Sequence, residues 1–125
     1  MQVLVVDDQL DYSRLVARWL RKLGAAVRIE LAASAAEALA LMESMTPDLI
    51  ITDLVMPEMD GFELTRRVKQ KAPAPVVVVM TSFAPLLFHE RAGAAGADYC
   101  VEKGNLQSQL PEFLQKRFGI GLSTT

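Results

Sequence analysis

Acidic or hydroxyl side chains stand at the ends of three apolar runs in this sequence. Asp7 and Asp8 follow the first run, Asp53 follows the second, and Thr81 follows the third. Short, continuous runs rich in β-branched residues are typical of strands buried on both faces of a parallel sheet. Ligands of such sheets bind at the carboxyl ends of the strands. Carboxylates crowded at one edge repel each other, and a divalent cation with oxygen ligands relieves that repulsion. The pattern therefore predicts an acidic Mg²⁺ pocket that contains a reactive aspartate.

Five short apolar runs alternate with five helical patterns along the chain. The runs that predict strands span residues 3–6, 27–31, 49–52, 76–80 and 99–101. The patterns that predict helices span approximately residues 11–23, 34–44, 60–71, 85–95 and 108–119. Strict alternation of strand and helix predicts an α/β fold, a doubly wound (βα)5 arrangement with a parallel sheet and helices on both faces.

Individual residues indicate where three of the helices begin and which strand lies at an edge of the sheet. Ser34 and Asp60 are each followed three residues later by Glu, which is the sequence of a capping box at a helix start. Pro111 fits a first helical turn, so we expect the last helix to begin near Ser108. Residues 27–31 alternate apolar with charged side chains, as a half-exposed strand at the edge of a sheet does.

Length and composition narrow the class of protein. The chain has 125 residues, of which 51% are hydrophobic and 22% charged, and this balance is typical of a globular domain. We expect one domain over residues 1–119, with 120–125 as a tail or the start of a linker. A net charge of −2 argues against nucleic-acid binding by this chain alone. The single cysteine, the missing signal-peptide pattern and the short apolar runs favour a soluble cytoplasmic domain without a membrane partner.

The motifs together resemble the receiver domain of bacterial two-component response regulators, of which the stand-alone chemotaxis regulator is the minimal form. The acidic pair Asp7-Asp8 is similar to the pair that ends the family's first strand. Residues 47–61, PDLIITDLVMPEMDG, resemble the strand and loop that carry the phosphoacceptor. Thr81 and Lys103 stand at the family's hydroxyl and lysine positions. The resemblance covers residues 2–118 and implies a flavodoxin-like three-layer sandwich, with five parallel strands in the order 2-1-3-4-5.

The resemblance also implies roles in phosphoryl transfer. Asp53 would be the phosphoacceptor, because a carboxylate is a competent nucleophile that forms an acyl phosphate. Lys103 would contact a phosphoryl oxygen as a compact positive charge. Thr81 would donate a hydrogen bond to another phosphoryl oxygen and so move the loop after the fourth strand. Such a domain is a signalling phosphoacceptor and not an enzyme in the ordinary sense.

Mg²⁺ is the cofactor that the resemblance implies. Asp8 and Asp53 would bind it directly, Asp7 would act mainly through bound water, and Val55 would offer its backbone carbonyl. Mg²⁺ commonly uses one or two carboxylates and keeps several waters, which suits this donor set.

The implied partners are proteins. A histidine kinase or a histidine phosphotransfer protein would supply the phosphoryl group, and a downstream protein or effector domain would bind the phosphorylated form. A dimer that depends on phosphorylation is a further outcome known in the family. Arg14, Arg18, Arg21 and Lys22 form a basic stretch of the first helix that is either a solvated face or part of the docking surface for the phosphodonor.

Two positions depart from the family pattern. Cys100 stands where the family usually has Tyr or Phe, and the neighbouring Tyr99 is expected to point to the other face of its strand. Gly104 follows Lys103 where the family usually has Pro. Without Pro, a cis bond there would cost about 3–4 kcal/mol, so the loop is expected to be trans, strained or more mobile. Both departures concern signal output more than phosphoryl chemistry.

Two alternatives compete with a phosphorylatable receiver. A pseudo-receiver would be an interaction module that no longer cycles phosphate, and the full set of Asp7, Asp8, Asp53, Thr81 and Lys103 argues against it. A phosphatase that uses an aspartyl phosphate needs a second Asp two residues after its nucleophile. Val55 occupies that position, so this interpretation is weak.

Overall fold

The fold is described from a computed structural model that covers residues 1–22, 27–82 and 89–119. The strands are β1 (Gln2–Val6), β2 (Arg28–Ala32), β3 (Leu49–Asp53), β4 (Val76–Thr81) and β5 (Tyr99–Glu102). The helices are α1 (Leu10–Arg21), α2 (Ala35–Leu41), α3 (Gly61–Val68), α4 (His89–Ala95) and α5 (Leu106–Phe118). A short 3-10 helix, Lys103–Asn105, joins β5 to α5.

The five strands form one parallel sheet in the order β2-β1-β3-β4-β5. The predicted fold class and strand order are therefore confirmed. β1, β3 and β4 lie inside the sheet, and their apolar residues are buried. Parallel strands in this position are covered by helices on both faces, so a continuous apolar run is the pattern that they require.

Side chains of each strand alternate between two hydrophobic cores, one on each face of the sheet. Val3 and Val5 of β1 join α1 and α5 in what we call the α1/α5 core. Leu4 and Val6 join α2, α3 and α4 in the α2–α4 core. The sheet thus separates two apolar layers, and its strands contribute to both.

Exposure to solvent alternates along the edge strand β2, as its sequence predicts. Arg28 and Glu30 are exposed, whereas Ile29 and Leu31 are partly buried against the α1/α5 core. On β5, Tyr99 packs against the α1/α5 core and Cys100 against the α2–α4 core, so the two side chains lie on opposite faces as expected.

The caps predicted for two helices are present. The Ser34 hydroxyl accepts a hydrogen bond from the backbone N–H of Glu37, and the Asp60 carboxylate accepts one from Glu63. Both helices are shorter than predicted. α2 ends at Leu41 and not near residue 44, and α3 ends at Val68 and not near residue 71. The predicted end of the first helix, the start of the fourth and the tail from residue 120 lie outside the described residues.

The predicted start of the last helix is wrong. α5 begins at Leu106, so Pro111 lies inside the helix and not in its first turn. Leu106, Leu110 and Leu114 repeat at helical spacing and are all buried in the α1/α5 core. The burial of these leucines outweighs the backbone hydrogen bond that Pro111 cannot donate.

Within the described residues, no helix is both long and apolar enough to cross a membrane.

Candidate functional site

The carboxyl edge of the sheet brings three carboxylates together. Asp7 and Asp8 follow β1, and Asp53 is the last residue of β3. β1 and β3 pair in parallel with Val6 beside Thr52, so the next residue of each strand is an aspartate. One carboxylate oxygen from each of the three residues lies within 4.8 Å of the others. The structure therefore forms the acidic cluster predicted from the strand ends.

Asp7 is fully buried, and both of its carboxylate oxygens accept hydrogen bonds. The backbone N–H of Gln9 donates to Oδ1 at 2.9 Å, and the Lys103 ammonium donates to Oδ2 at 2.8 Å. Asp8, next in sequence, is exposed to solvent. The two members of the acidic pair thus have different environments, one engaged inside the protein and one open to solution.

Asp53 is buried at the mouth of the site, with 7% of its surface exposed. Its Oδ2 lies 3.4 Å from the Lys103 ammonium. Burial raises the pKa of the Asp53 carboxyl above its ordinary value, and the negative charge of Asp7 raises the pKa further. Lys103 opposes both effects without cancelling them. The site therefore holds a carboxylate whose negative charge is under-compensated by the protein.

Lys103 is the positive charge that faces these carboxylates. It follows β5 at the start of the 3-10 helix, and its side chain is largely buried. Burial alone would lower the pKa of its ammonium, but the hydrogen bond that it donates to Asp7 and the charges of Asp53 and Asp7 outweigh burial and raise the pKa. Lys103 is therefore held in its charged form between two carboxylates.

Thr81 and Val55 complete the set of residues predicted for the site. Thr81 ends β4, is fully buried, and pairs in register with Glu102, the residue before Lys103. It thus stands at the same edge of the sheet as the carboxylates. Val55 lies two residues after Asp53, in the loop before α3, and 61% of its surface is exposed.

A close backbone contact fixes the strand end that carries Asp53. The backbone N–H of Gly61 donates to the carbonyl of Leu54 at 2.8 Å. A Cβ atom on Gly61 would lie 2.4 Å from the carbonyl oxygen of Asp53, which leaves room for glycine alone. The family resemblance put Gly61 at the end of the loop after the phosphoacceptor, but no sequence pattern indicates this contact.

A comparison of the sequence with known protein families finds one match that covers most of the chain. The family model described as the response regulator receiver domain matches residues 3–115. This chain belongs to the response regulator receiver domain family. Domains of this family are signalling modules and not conventional enzymes.

Two curated proteins are similar in sequence to this receiver domain. It is 42% identical over 86 residues to a 14.6 kDa protein of uncharacterised role from Leptolyngbya boryana. It is 32% identical over 111 residues to protein-glutamate methylesterase/protein-glutamine glutaminase 1 of Syntrophus aciditrophicus. These matches cover 67% and 87% of this chain, which spans 64% and 32% of the length of the two relatives.

A solved structure gives the same fold over nearly its whole length. Chemotaxis protein CheY4 of Vibrio cholerae superposes on the receiver domain with a TM-score of 0.82 at 29% identity. The match covers 92% of this chain and 96% of the other. The chain is therefore similar in sequence and in fold to a chemotaxis protein.

The two departures from the family pattern have defined structures in this receiver domain. Cys100 is partly buried against the α2–α4 core, where a larger aromatic side chain is usual. The peptide bond between Lys103 and Gly104 is not among the cis bonds of the described residues, so it is trans, which is one of the three outcomes expected for this loop. The φ angle of Gly104 lies outside the left-handed region, and a Cβ on it would contact nothing within 4 Å.

Tyr12 is a residue of this site that the sequence analysis missed. It lies in the first turn of α1, and its hydroxyl donates a hydrogen bond to the backbone carbonyl of Lys103 at 3.0 Å. The Lys103 ammonium also lies 4.7 Å from the centre of the Tyr12 ring. No local pattern signals the contact, because Tyr12 and Lys103 are 91 positions apart in the sequence.

We expect Asp53→Asn to stabilise the receiver domain at neutral pH in the absence of Mg²⁺. The pKa of the Asp53 carboxyl is raised in the folded state, so its ionisation opposes folding. This penalty is complete above the folded-state pKa and fades as the pH falls towards the ordinary value of 3.8. Melting temperatures in chelator across a pH series should show an advantage for Asp53→Asn that shrinks in acid.

Asp48→Asn is the matched control. Asp48 is exposed and directly precedes β3, at the end of the strand opposite to Asp53. An advantage of Asp53→Asn that stays constant down to acid pH would contradict the electrostatic origin of the effect.

Proposed function

We propose that this receiver domain accepts a phosphoryl group on Asp53 and thereby changes which protein it binds. The observation that carries the proposal is the placement of a buried Asp53 carboxylate beside the Lys103 ammonium and within 4.8 Å of Asp7 and Asp8. Family membership supports it, since receiver domains act with histidine kinases and effector domains. The donor would be the phosphohistidine of a kinase or of a phosphotransfer protein.

The transfer needs one nucleophile and several charge-neutralising groups. An oxygen of the Asp53 carboxylate forms a bond to phosphorus while the bond from phosphorus to the histidine nitrogen breaks, and the imidazole leaves with that electron pair. Phosphoryl transfer depends mainly on positioning and electrostatic stabilisation. Lys103 supplies a positive charge at the receiving oxygen, and the Thr81 hydroxyl supplies a hydrogen-bond donor at the same edge of the sheet.

The donor set fits Mg²⁺, which prefers oxygen ligands and retains several waters. Asp8 and Asp53 would bind the ion directly. The two oxygens of Asp7 already accept hydrogen bonds from Gln9 and Lys103, so Asp7 would act through water. The backbone carbonyl of Val55 would be a further ligand. Bound there, the ion would neutralise charge on the phosphoryl oxygens.

We expect Asp8→Ala to weaken Mg²⁺ binding by at least about tenfold, because it removes an exposed carboxylate from the cluster. Isothermal titration calorimetry of the wild type and the variant measures the change. Asp11→Ala is the control, since Asp11 is an exposed carboxylate on the first turn of α1 outside the cluster. Equal affinity in wild type and Asp8→Ala would remove Asp8 from the ligand set.

Phosphorylation would act on partners through the loop that follows Thr81. A phosphoryl oxygen that binds the Thr81 hydroxyl adds an interaction made only in the phosphorylated state, and such an interaction biases a two-state element. The output would be binding to a downstream protein or effector domain, or to a second copy of the chain. A cytoplasmic location belongs to the same proposal.

One experiment separates this function from that of a pseudo-receiver. The purified chain is incubated with phosphoramidate and Mg²⁺, and its intact mass is measured against a sample in chelator. A phosphorylatable receiver gains about 80 Da only when Mg²⁺ is present. A folded chain that gains no mass in either sample would be an interaction module without phosphate cycling.

A further inference from the structure

One side chain outside the predicted set contacts both ends of Lys103. The Tyr12 hydroxyl donates to the backbone carbonyl of Lys103, and the Tyr12 ring faces the ammonium of the same lysine. A cation over the face of an aromatic ring is attracted by the ring quadrupole. Tyr12 therefore acts on the backbone of Lys103 and on its charge at the same time.

Lys103 is restrained from several sides, and its backbone carbonyl also accepts a hydrogen bond from the backbone N–H of Leu106. Lysine carries its charge on a flexible four-carbon stem. Gly104, the next residue, has no side chain to anchor the loop, and even a Cβ there would meet nothing within 4 Å. Asp7 and Asp53 attract the ammonium from the side of the sheet. Tyr12 contacts it from α1, so the lysine is held between the strand ends and the helix.

The Tyr12 side chain is itself held by packing and remains protonated. Its ring contacts Trp19 edge to face, with ring centres 6.2 Å apart, and both side chains pack against the α1/α5 core. Burial, followed by the charges of Asp7 and Asp53, raises the pKa of Tyr12 to about 12. The phenol therefore keeps its proton at neutral pH and remains a hydrogen-bond donor.

We propose that Tyr12 is a positioning residue that holds Lys103 at the phosphoryl-accepting carboxylate. The inference rests on the proposed function for its consequence in catalysis, but the placement of Lys103 is testable without phosphorylation. Tyr12 would supply, from α1, a restraint on the lysine loop in a chain that has Gly104 after the lysine.

The first test measures Lys103 itself. The chain is treated briefly with acetic anhydride, and acetylation of Lys103 is quantified by peptide mass spectrometry. We expect labelling to be roughly tenfold faster in Tyr12→Leu, which loses both contacts, and roughly threefold faster in Tyr12→Phe, which loses only the hydrogen bond. Tyr99→Phe is the control, because it likewise removes a tyrosine hydroxyl, but one that donates to Gln109 and not to Lys103.

The second test measures phosphorylation by phosphoramidate. Tyr12→Leu should lower the rate by roughly tenfold in the wild-type background and have no further effect in Lys103→Ala, because coupled residues are not additive. Tyr99→Phe should leave the rate unchanged in both backgrounds.

The outcomes distinguish a failure of the positioning role of Tyr12 from a failure of the proposed phosphorylation of Asp53. Labelling of Lys103 within twofold of wild type in both Tyr12 variants would overturn the positioning role, as would an equal loss of rate in the Lys103→Ala background. If Tyr12→Leu does not fold, Tyr12→Phe decides both measurements, since it retains the ring. A wild type that is never phosphorylated would refute the proposed function, and the labelling would still decide the placement of Lys103.

Discussion

Replacing Asp53 with asparagine should abolish the gain of about 80 Da that the chain acquires from phosphoramidate and Mg²⁺. The amide cannot act as the carboxylate nucleophile. Of the two carboxylates beside it, Asp7 is paired with Lys103 and Gln9, and Asp8 is the proposed direct ligand of Mg²⁺. Intact mass spectrometry measures the change directly.

Asp48→Asn controls for a general effect of the substitution on β3. Asp48 directly precedes this strand at its amino end, where its carboxylate accepts a hydrogen bond from the backbone of Gln2. The control should be phosphorylated like the wild type. Labelling of Asp53→Asn to the wild-type extent would assign the phosphoacceptor to another residue.

Gly61→Ala is expected to damage both stability and phosphorylation. The added Cβ would lie 2.4 Å from the Asp53 carbonyl oxygen and 3.0 Å from the Leu54 Cα, so backbone atoms must move apart. Overpacking of this kind costs about 3 kcal/mol. The same shift displaces the phosphoacceptor, and a misplacement near 1 Å lowers rates by about 10²-fold. Denaturant unfolding and the rate of mass gain measure the two effects.

Gly104→Ala provides the comparison, because it adds the same methyl group beside Lys103 in open space. We expect its free energy of unfolding to stay within about 0.5 kcal/mol of wild type. If Gly61→Ala unfolds at the same denaturant concentration as Gly104→Ala, the contact between α3 and the end of β3 is looser than described.

The sheet and its acidic edge were predictable because their signals are local. Each inner strand is a continuous apolar run, and Asp7, Asp8 and Asp53 come directly after or at the end of such runs. Parallel pairing then places those ends together without any knowledge of side-chain packing. The order of the strands came from the family resemblance, since the runs themselves do not specify their neighbours.

What was missed depends on contacts between distant residues. Tyr12 and Lys103 are 91 positions apart, and nothing near either residue in the sequence indicates their hydrogen bond. The start of α5 was placed too late because the proline rule was applied without the burial of Leu106. Leu15 fits the helical pattern of α1 but is among the exposed apolar residues, because the pattern gives a period and not the width of the buried face.

The division of the core by the sheet determines what optical methods can detect. Among the described residues, the aromatic side chains that pack against the α1/α5 core are Tyr12, Trp19, Tyr99, Phe113 and Phe118, whereas Phe62 alone belongs to the α2–α4 core. Tryptophan fluorescence and near-ultraviolet circular dichroism will therefore report mainly on one layer. The single cysteine, Cys100, packs against the other layer. A fluorophore attached to its thiol would make the second layer visible, and unfolding curves from the two probes would show whether both layers melt together.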